Sequence, residues 1–368
     1  MKIDEIKFPF YAKLTIFIIG LIGLVAILYI GKSIIVPLVF AIIMAILLSP
    51  VVNFLVRKRI NRIVAIFIAL FLTFIVIAGF GVLLFSQASR FTDSWPVLVV
   101  KFTDIFNDAI IWASGYLDID PQKIHIWITK TQSEIINTST TAIGQTLVTI
   151  GTGVMIAFLL PLYVFLILYY RPILHDFIRR LFKEGHQSQV SEVVSQIKNV
   201  IQRYLVGLII ETFIVAGMQI TTLFVLGIEY AILLGIIGAL LNLIPYIGGI
   251  VAVALPMIVA LATKDSAWFA IYVLVIYYII QLIDNNFIVP YIVASKVKIN
   301  ALFSIIVVFV GNAIWGIPGM FLSIPLLAIV KLIFDHIESM KPWGFLLGDT
   351  MPSILKIDPI IKKIIKKT

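Results

Sequence analysis

Tyr230-Ala-Ile-Leu-Leu-Gly-Ile-Ile-Gly-Ala-Leu-Leu-Asn242-Leu-Ile-Pro245-Tyr-Ile-Gly248-Gly249 can be laid over Asn300-Ala-Leu-Phe-Ser-Ile-Ile-Val-Val-Phe-Val-Gly-Asn312-Ala-Ile-Trp-Gly316-Ile-Pro318-Gly319 at a constant offset of 70 residues. Asn242 then falls on Asn312, Gly249 on Gly319 and Ala231 on Ala301. Each copy is an apolar segment broken near its middle by Gly and Pro, the pattern of interrupted helices that line a transport site between internal repeats. Fifteen residues from Tyr230 to Ile244 make a helix of about 22 Å at ~1.5 Å per residue, short of the ~30 Å hydrocarbon core. Each copy is therefore either one kinked span or a re-entrant hairpin with its tip deep in the protein.

Charge arbitrates between the two. Cytoplasmic loops carry an excess of Lys and Arg. Hairpins place Lys296, Lys298, Lys331 and Lys341 on the cytoplasmic side, whereas kinked spans send Lys296 and Lys298 outside. The hairpin reading makes the two copies opposite in orientation, an inverted repeat in which one pair enters from outside and the other from the cytoplasm, their tips meeting in mid-bilayer.

Outward from this core, the chain of 368 residues is 61% hydrophobic and only 13% charged, against roughly 45 to 50% apolar residues in soluble domains. The expected fold is an all-α integral membrane protein, a multi-pass helical bundle with six full spans and two broken or re-entrant hairpins. The full spans are expected at 14–30, 34–55, 63–85, 147–170, 205–227 and 267–289. Five regions follow: three membrane spans over 1–85, an external amphipathic insert over 86–146, a fourth span and cytoplasmic linker helix over 147–204, the repeated transport core over 205–335 and a basic tail over 336–368. The first apolar run is too long for a signal-peptide core. Lys2, Lys7 and Lys13, and then Arg57, Lys58, Arg59 and Arg62, put the N-terminus and the link between the second and third spans in the cytoplasm, and the hairpin reading puts the C-terminus there too. The acidic balance of 86–146 suits an exported segment. Ile354 to Lys367 alternates isoleucine and lysine pairs, a basic amphipathic pattern suited to membrane lipids.

The net charge of +9 sits at segment ends and in the tail, so it marks topology rather than nucleic acid. With no cysteine and four scattered histidines, neither a thiolate site nor a metal-ligand spacing is present, and no cofactor is expected. Gly31-Lys32-Ser33 resembles the end of a phosphate loop but lacks the earlier glycine. No nucleophile elbow or zinc helix appears, so no catalytic residue is assigned.

The polar residues inside apolar runs remain. Glu211 lies within the fifth span, where a charge costs at least about 2.5 to 3.5 kcal/mol at mid-helix. At the 70-residue offset it falls on Gln281, followed one turn later by Asp284 and Asn285. Glu211 and Asp284 are candidates for binding protons or cations, and Asn242 and Asn312 for offering amide groups to a solute. Internal pairing that only fixes helix packing is the structural alternative. Gly248, Gly249, Gly316 and Gly319 allow tight turns, and Pro245 and Pro318 stop helices.

In their order and spacing, Pro245-Tyr-Ile-Gly-Gly249 with Pro256, Asp284-Asn-Asn286 with Pro290, and Gly311-Asn312 with Gly316, Gly319 and Pro325 resemble the C-terminal half of the bacterial autoinducer-2 exporter family. The similarity extends over nearly the whole chain. It implies a multi-pass exporter of small polar solutes, with sodium or lithium exchanged for protons in some members, and a homo-oligomer. Carried over by position, the transport region would comprise Asn242, Pro245, Gly248, Gly249, Asp284, Asn312, Gly316 and Gly319. Three functions stay open: a gradient-driven exporter of a small polar solute, a sodium (lithium)/proton antiporter, and a membrane scaffold that transports nothing.

Overall fold

The computed structural model describes residues 9–117, 158–244, 247–293 and 299–349, and among these it is entirely helical apart from turns and one isolated bridge. The helices are α1 (Phe10–Ile30), α2 (Lys32–Arg57), α3 (Arg62–Leu117), α4 (Phe158–Arg180), α5 (Gln187–Val225), α6 (Ala231–Asn242), α7 (Ile247–Thr263), α8 (Trp268–Ile283), α9 (Ala301–Trp315), α10 (Ile317–His336) and α11 (Lys341–Leu347). Seven described helical segments are long and apolar enough to cross a membrane. Helices are the expected element here, since a lipid-exposed backbone must satisfy its own hydrogen bonds. The apolar exterior fits the same solvent: Phe10, Ile30 and Val225 are each about 80% exposed, which in water would be a severe aggregation hazard.

The six anticipated spans all appear, the fourth described from Phe158 and ending at Arg180, ten residues past the expected end at residue 170. The seventh is α10, whose 20 residues reach about 30 Å; the second broken segment thus has one arm of spanning length, not two short ones. Two of the spans are parts of longer helices. The third continues without interruption through the first part of the supposed external insert to Leu117, 56 residues in all. The fifth is continuous with the linker helix, 39 residues or about 58 Å in all. The rest of the insert lies outside the described residues, as does the tail from residue 350 onward.

Small residues set the packing of the first half. Ala41, Ala45, Leu48 and Val52 of α2 meet Ala65, Ile66 and Ala69 of α3 and Val164 and Leu168 of α4 in one buried cluster, the close approach that alanines permit between membrane helices.

Both broken segments are helical hairpins. α6 and α9 begin 70 residues apart, at Ala231 and Ala301, and α7 and α10 likewise, at Ile247 and Ile317. In the second hairpin, Gly316 turns the chain with φ of 66°, a left-handed conformation that favours glycine. Gly311 and Gly319 then face each other so closely that a Cβ on either would overlap the other's backbone. Four residues further along each arm, the Ser323 hydroxyl reaches Val307 O at 2.9 Å. These pairs run symmetrically about the turn, so the arms are antiparallel. In the first hairpin a Cβ on Gly238 would lie 3.6 Å from that of Ala252, and one on Gly248 would overlap the Leu241 carbonyl.

The tip of the second hairpin is not at the middle of its neighbours. Trp315 Nε1 donates to Leu28 O at 2.9 Å, which sets the tip level with the last turn of α1, while Phe321 stacks on Phe40 of α2. Trp315→Phe removes that indole donor and leaves the Leu28 carbonyl unpaired. The expected cost is about 1 kcal/mol, read as a lowered Tm of the purified protein; an unchanged Tm would mean that the bond does not hold α1 in place.

Candidate functional site

The inward face of α5 is a stripe at helical spacing: Ile201, Leu205, Leu208, Glu211, Val215, Gln219 and Leu223 are all buried. Two of the seven are polar. Opposite it, α8 presents Val273, Tyr277 and Ile280, then Asp284 and Ile288. Val215 and Ala239 of α6 share one apolar cluster with Ile280 and Ile288, which brackets Asp284 between contacts to α5. Lower down, a Cβ on Gly207 would stand 2.7 Å from Ile292 O, so the two helices run close over this whole stretch.

At Asp284 the helix changes pitch. Residues Asp284–Val293 form a π-helix, wider than an α-helix and often found at functional sites. Pro290 lies inside it and supplies no N–H to the ladder. The Asn286 side chain donates to Leu282 O at 2.8 Å, satisfying a carbonyl where the hydrogen-bond register shifts.

Three elements converge on Asp284. From the end of α6, Asn242 Nδ2 donates to Asp284 Oδ2 at 2.9 Å. From the start of α7, Gly249 leaves room for Gln281, whose Oε1 would lie 2.8 Å from a Cβ there, with Asn242 Oδ1 3.9 Å away. From α5, Glu211 lies one turn before Val215, which packs with Ile280 and Ile288 to either side of Asp284. Glu211 is 5% exposed and Asp284 2%, and Glu211 Oε2 and Asp284 Oδ1 have no hydrogen-bond partner. Among the described residues no Lys, Arg or His pairs with either, the ion pairs being Arg179–Asp176 and Lys331–Asp335. Nor do the described residues hold a group of three potential metal ligands.

A buried carboxylate without a counter-charge is costly. Each of these must therefore hold a proton, a cation or a donor from another molecule. Oxygens of two carboxylates and two amides, from Glu211, Asp284, Asn242 and Gln281, suit a small hard cation as well as the hydroxyls of a polar solute.

The anticipated site is thus partly assembled. Glu211, Asn242, Gly248, Gly249, Gln281 and Asp284 come together around the first hairpin. Asn285 accepts from Gln281 Nε2 at 3.3 Å but faces outward, and Pro245 lies outside the described residues. Asn312, Gly316 and Gly319 belong elsewhere: α9 packs on α10, α1 and α2, and Asn312 is exposed. Gly319 serves the hairpin's own closure.

Two residues not anticipated join the polar face. Gln219, 4% exposed, lies two turns beyond Glu211 and crowds Gly238; Tyr277 lies two turns before Asp284. Gln219 Oε1 and the Tyr277 hydroxyl are buried without partners. The spacing of eight from Glu211 to Gln219 was the available signal. Gln219→Leu, which deletes an unpaired acceptor at nearly constant volume, is expected to leave Tm unchanged or raise it by about 1 kcal/mol of stability. A clear fall in Tm would show that the amide is bonded in the folded protein.

The description "AI-2E family transporter" matches residues 15–339. Among curated proteins, the chain is 24% identical to "Putative transport protein YrrI" of Bacillus subtilis, over 84% of this chain and 88% of that one. It is 26% identical to "AI-2 transport protein TqsA" of Escherichia coli, over 90% of this chain and 95% of that one.

Proposed function

Because this chain belongs to the AI-2E transporter family, we propose that it is a gradient-driven carrier that moves a small polar solute out of a bacterial cell. Glu211, Asn242, Gln281 and Asp284 form its binding and coupling centre. The observation that carries this reading is the pair of buried carboxylates, Glu211 and Asp284, with no counter-charge among the described residues, the second of them bonded to the Asn242 amide at the end of α6. An intramembrane ionisable group marks a pathway far more often than it serves packing alone. A helix end at membrane depth exposes backbone groups that only protein or a water-filled cavity can satisfy, so the end of α6 at Asn242 suits a re-entrant tip at the edge of a wet site. The name of the relative TqsA makes autoinducer-2 the first solute to test.

A second reading, sodium (lithium)/proton antiport, is favoured by the same two carboxylates, which can exchange a proton for a cation. The readings are compatible, with cation or proton movement driving the solute. A scaffold that transports nothing has no use for unpaired buried charge. The test is flux of labelled autoinducer-2 and of sodium into vesicles containing the purified protein, with and without a pH gradient. Gradient-dependent flux of either supports the carrier. Absence of both at every pH tested would overturn it.

A further inference from the structure

We propose that Arg62, Arg171 and Lys198 form a binding site for a phosphate group, where the start of α3 meets α2, α4 and α5. Arg62 Nη2 donates to Leu168 O at 2.7 Å, which ties the start of α3 to α4. One turn on, Arg171 Nη1 donates to Ser49 Oγ of α2 at 3.0 Å, and Ser49 is 2% exposed. Lys198 follows Ile197, which packs in the cluster that joins α5 to Ile46 and Leu47 of α2. One turn beyond Arg171, His175 Nε2 lies 3.4 Å from Ser191 Oγ of α5, two turns before Lys198, so α4 and α5 meet here; Arg62 and Arg171, and Arg171 and Lys198, act on each other as like charges.

A cationic rim alone would be a solvated topology signal. Arg57, Lys58 and Arg59 fit that description, being fully in the open, whereas Arg62, Arg171 and Lys198 are half-buried. Like charges held together in partial burial favour an anion, and no described Asp or Glu forms an ion pair with any of the three. α2 contains no Asp or Glu. On α4, Asp176 pairs with Arg179 at 3.9 Å. On α5, Glu192 accepts from Gln196 at 3.1 Å, and Glu211 is 13 residues beyond Lys198, about 20 Å along the helix. The nearest acid on α3, Asp93, is 31 residues from Arg62. Across residues 53–62 and 171–203 there are ten Lys and Arg against three Asp and Glu.

The chemistry of the donors selects phosphate. Arg62 and Arg171 each spend one N–H on the protein in these bonds and keep the rest of a planar fork, which matches phosphate oxygens in pairs, while Lys198 adds a point charge. A phosphate could come from a soluble ester or from an anionic phospholipid. Beside Arg171, Tyr169 and Tyr170 are exposed and pack edge to face, the kind of aromatic pair that sits at headgroup level.

The test follows the Tm of the purified full-length protein in detergent during three titrations: phosphatidylglycerol, phosphatidylcholine, and inorganic phosphate matched against chloride at equal ionic strength. The site predicts a rise of about 2 °C or more near saturation with phosphatidylglycerol, with inorganic phosphate or with both, and none with phosphatidylcholine or chloride. A response to the lipid alone assigns the site to a headgroup; a response to phosphate alone assigns it to a soluble ester. The Arg171→Gln/Lys198→Gln double variant should lose the response, and the exposed control Arg57→Gln/Lys58→Gln should keep it. No rise with either phosphate source in the wild type overturns the proposal, whether or not the double variant folds. So does a double variant that responds like the wild type.

Discussion

Asp284→Asn is expected to reduce gradient-driven flux by at least about tenfold, the factor that accompanies a loss of about 1.4 kcal/mol, while leaving the protein folded. The substitution keeps the shape of the side chain, and its oxygen still accepts from Asn242 Nδ2, which now bonds Asp284 Oδ2 at 2.9 Å. It removes the ability to carry a charge or release a proton, and it does so at a residue 2% exposed with one oxygen unpartnered. Removing an uncompensated buried charge does not weaken the fold, so Tm should hold or rise. That split separates a coupling role from a packing role. If flux persists while Tm falls, Asp284 is a structural residue. Glu211→Gln should give the same pattern, because Glu211 is the second buried carboxylate at the α5–α8 contact, one turn from Val215, which packs to either side of Asp284. Transport of an uncharged solute down its own gradient would be affected less than flux coupled to an ion.

Gly319→Ala is expected to lower stability by about 2 to 3 kcal/mol, the upper part of the range for overpacking. What the new methyl group would meet is the Gly311 backbone and Trp315 Cβ, not the end of a flexible side chain, so relief requires the arms of the second hairpin to separate. Separation would also strain the Ser323 hydroxyl bridge to Val307. Gly217→Ala is the control: a Cβ there meets nothing within 4 Å, and alanine in a helix is favoured over glycine by about 0.5 to 1 kcal/mol. Thermal unfolding of both variants in detergent checks the pair. Equal Tm values would mean that the hairpin arms are not in contact at Gly311 and Gly319.

These expectations draw on features of differing visibility in the sequence. Spans α1, α2 and α8 are legible because a run of apolar residues bounded by charges or glycine leaves little choice in lipid. The hairpins are legible through the 70-residue offset, which the starts of α6 and α9 and of α7 and α10 reproduce. Helix continuity is not. Nothing at Ser86 or Tyr204 signals whether a helix leaving the apolar zone goes on, and both α3 and α5 do. Glu211 and Asp284 stand out as ionisable residues in apolar surroundings, and the fold brings them together. Asn312 shows the limit of the repeat as a guide. Alignment makes it the equivalent of Asn242, but apart from α5, which touches both, the hairpins have different neighbours, α3 and α8 for the first and α1 and α2 for the second, so equal positions in sequence do not become one site. The π-helical turn at Asp284 is equally hidden, since Pro290 predicts a disturbance one or two turns upstream without saying which register results.

The central claim is that water reaches the polar centre between α5, the first hairpin and α8. The chain contains no cysteine, so a single introduced thiol reports its own position without background. With Asn242→Cys in sealed membrane vesicles, a membrane-impermeant thiol reagent applied from each side in turn should label the protein from at least one side, and sodium or the transported solute should slow that labelling. No labelling from either side, with full labelling after denaturation, would contradict the account.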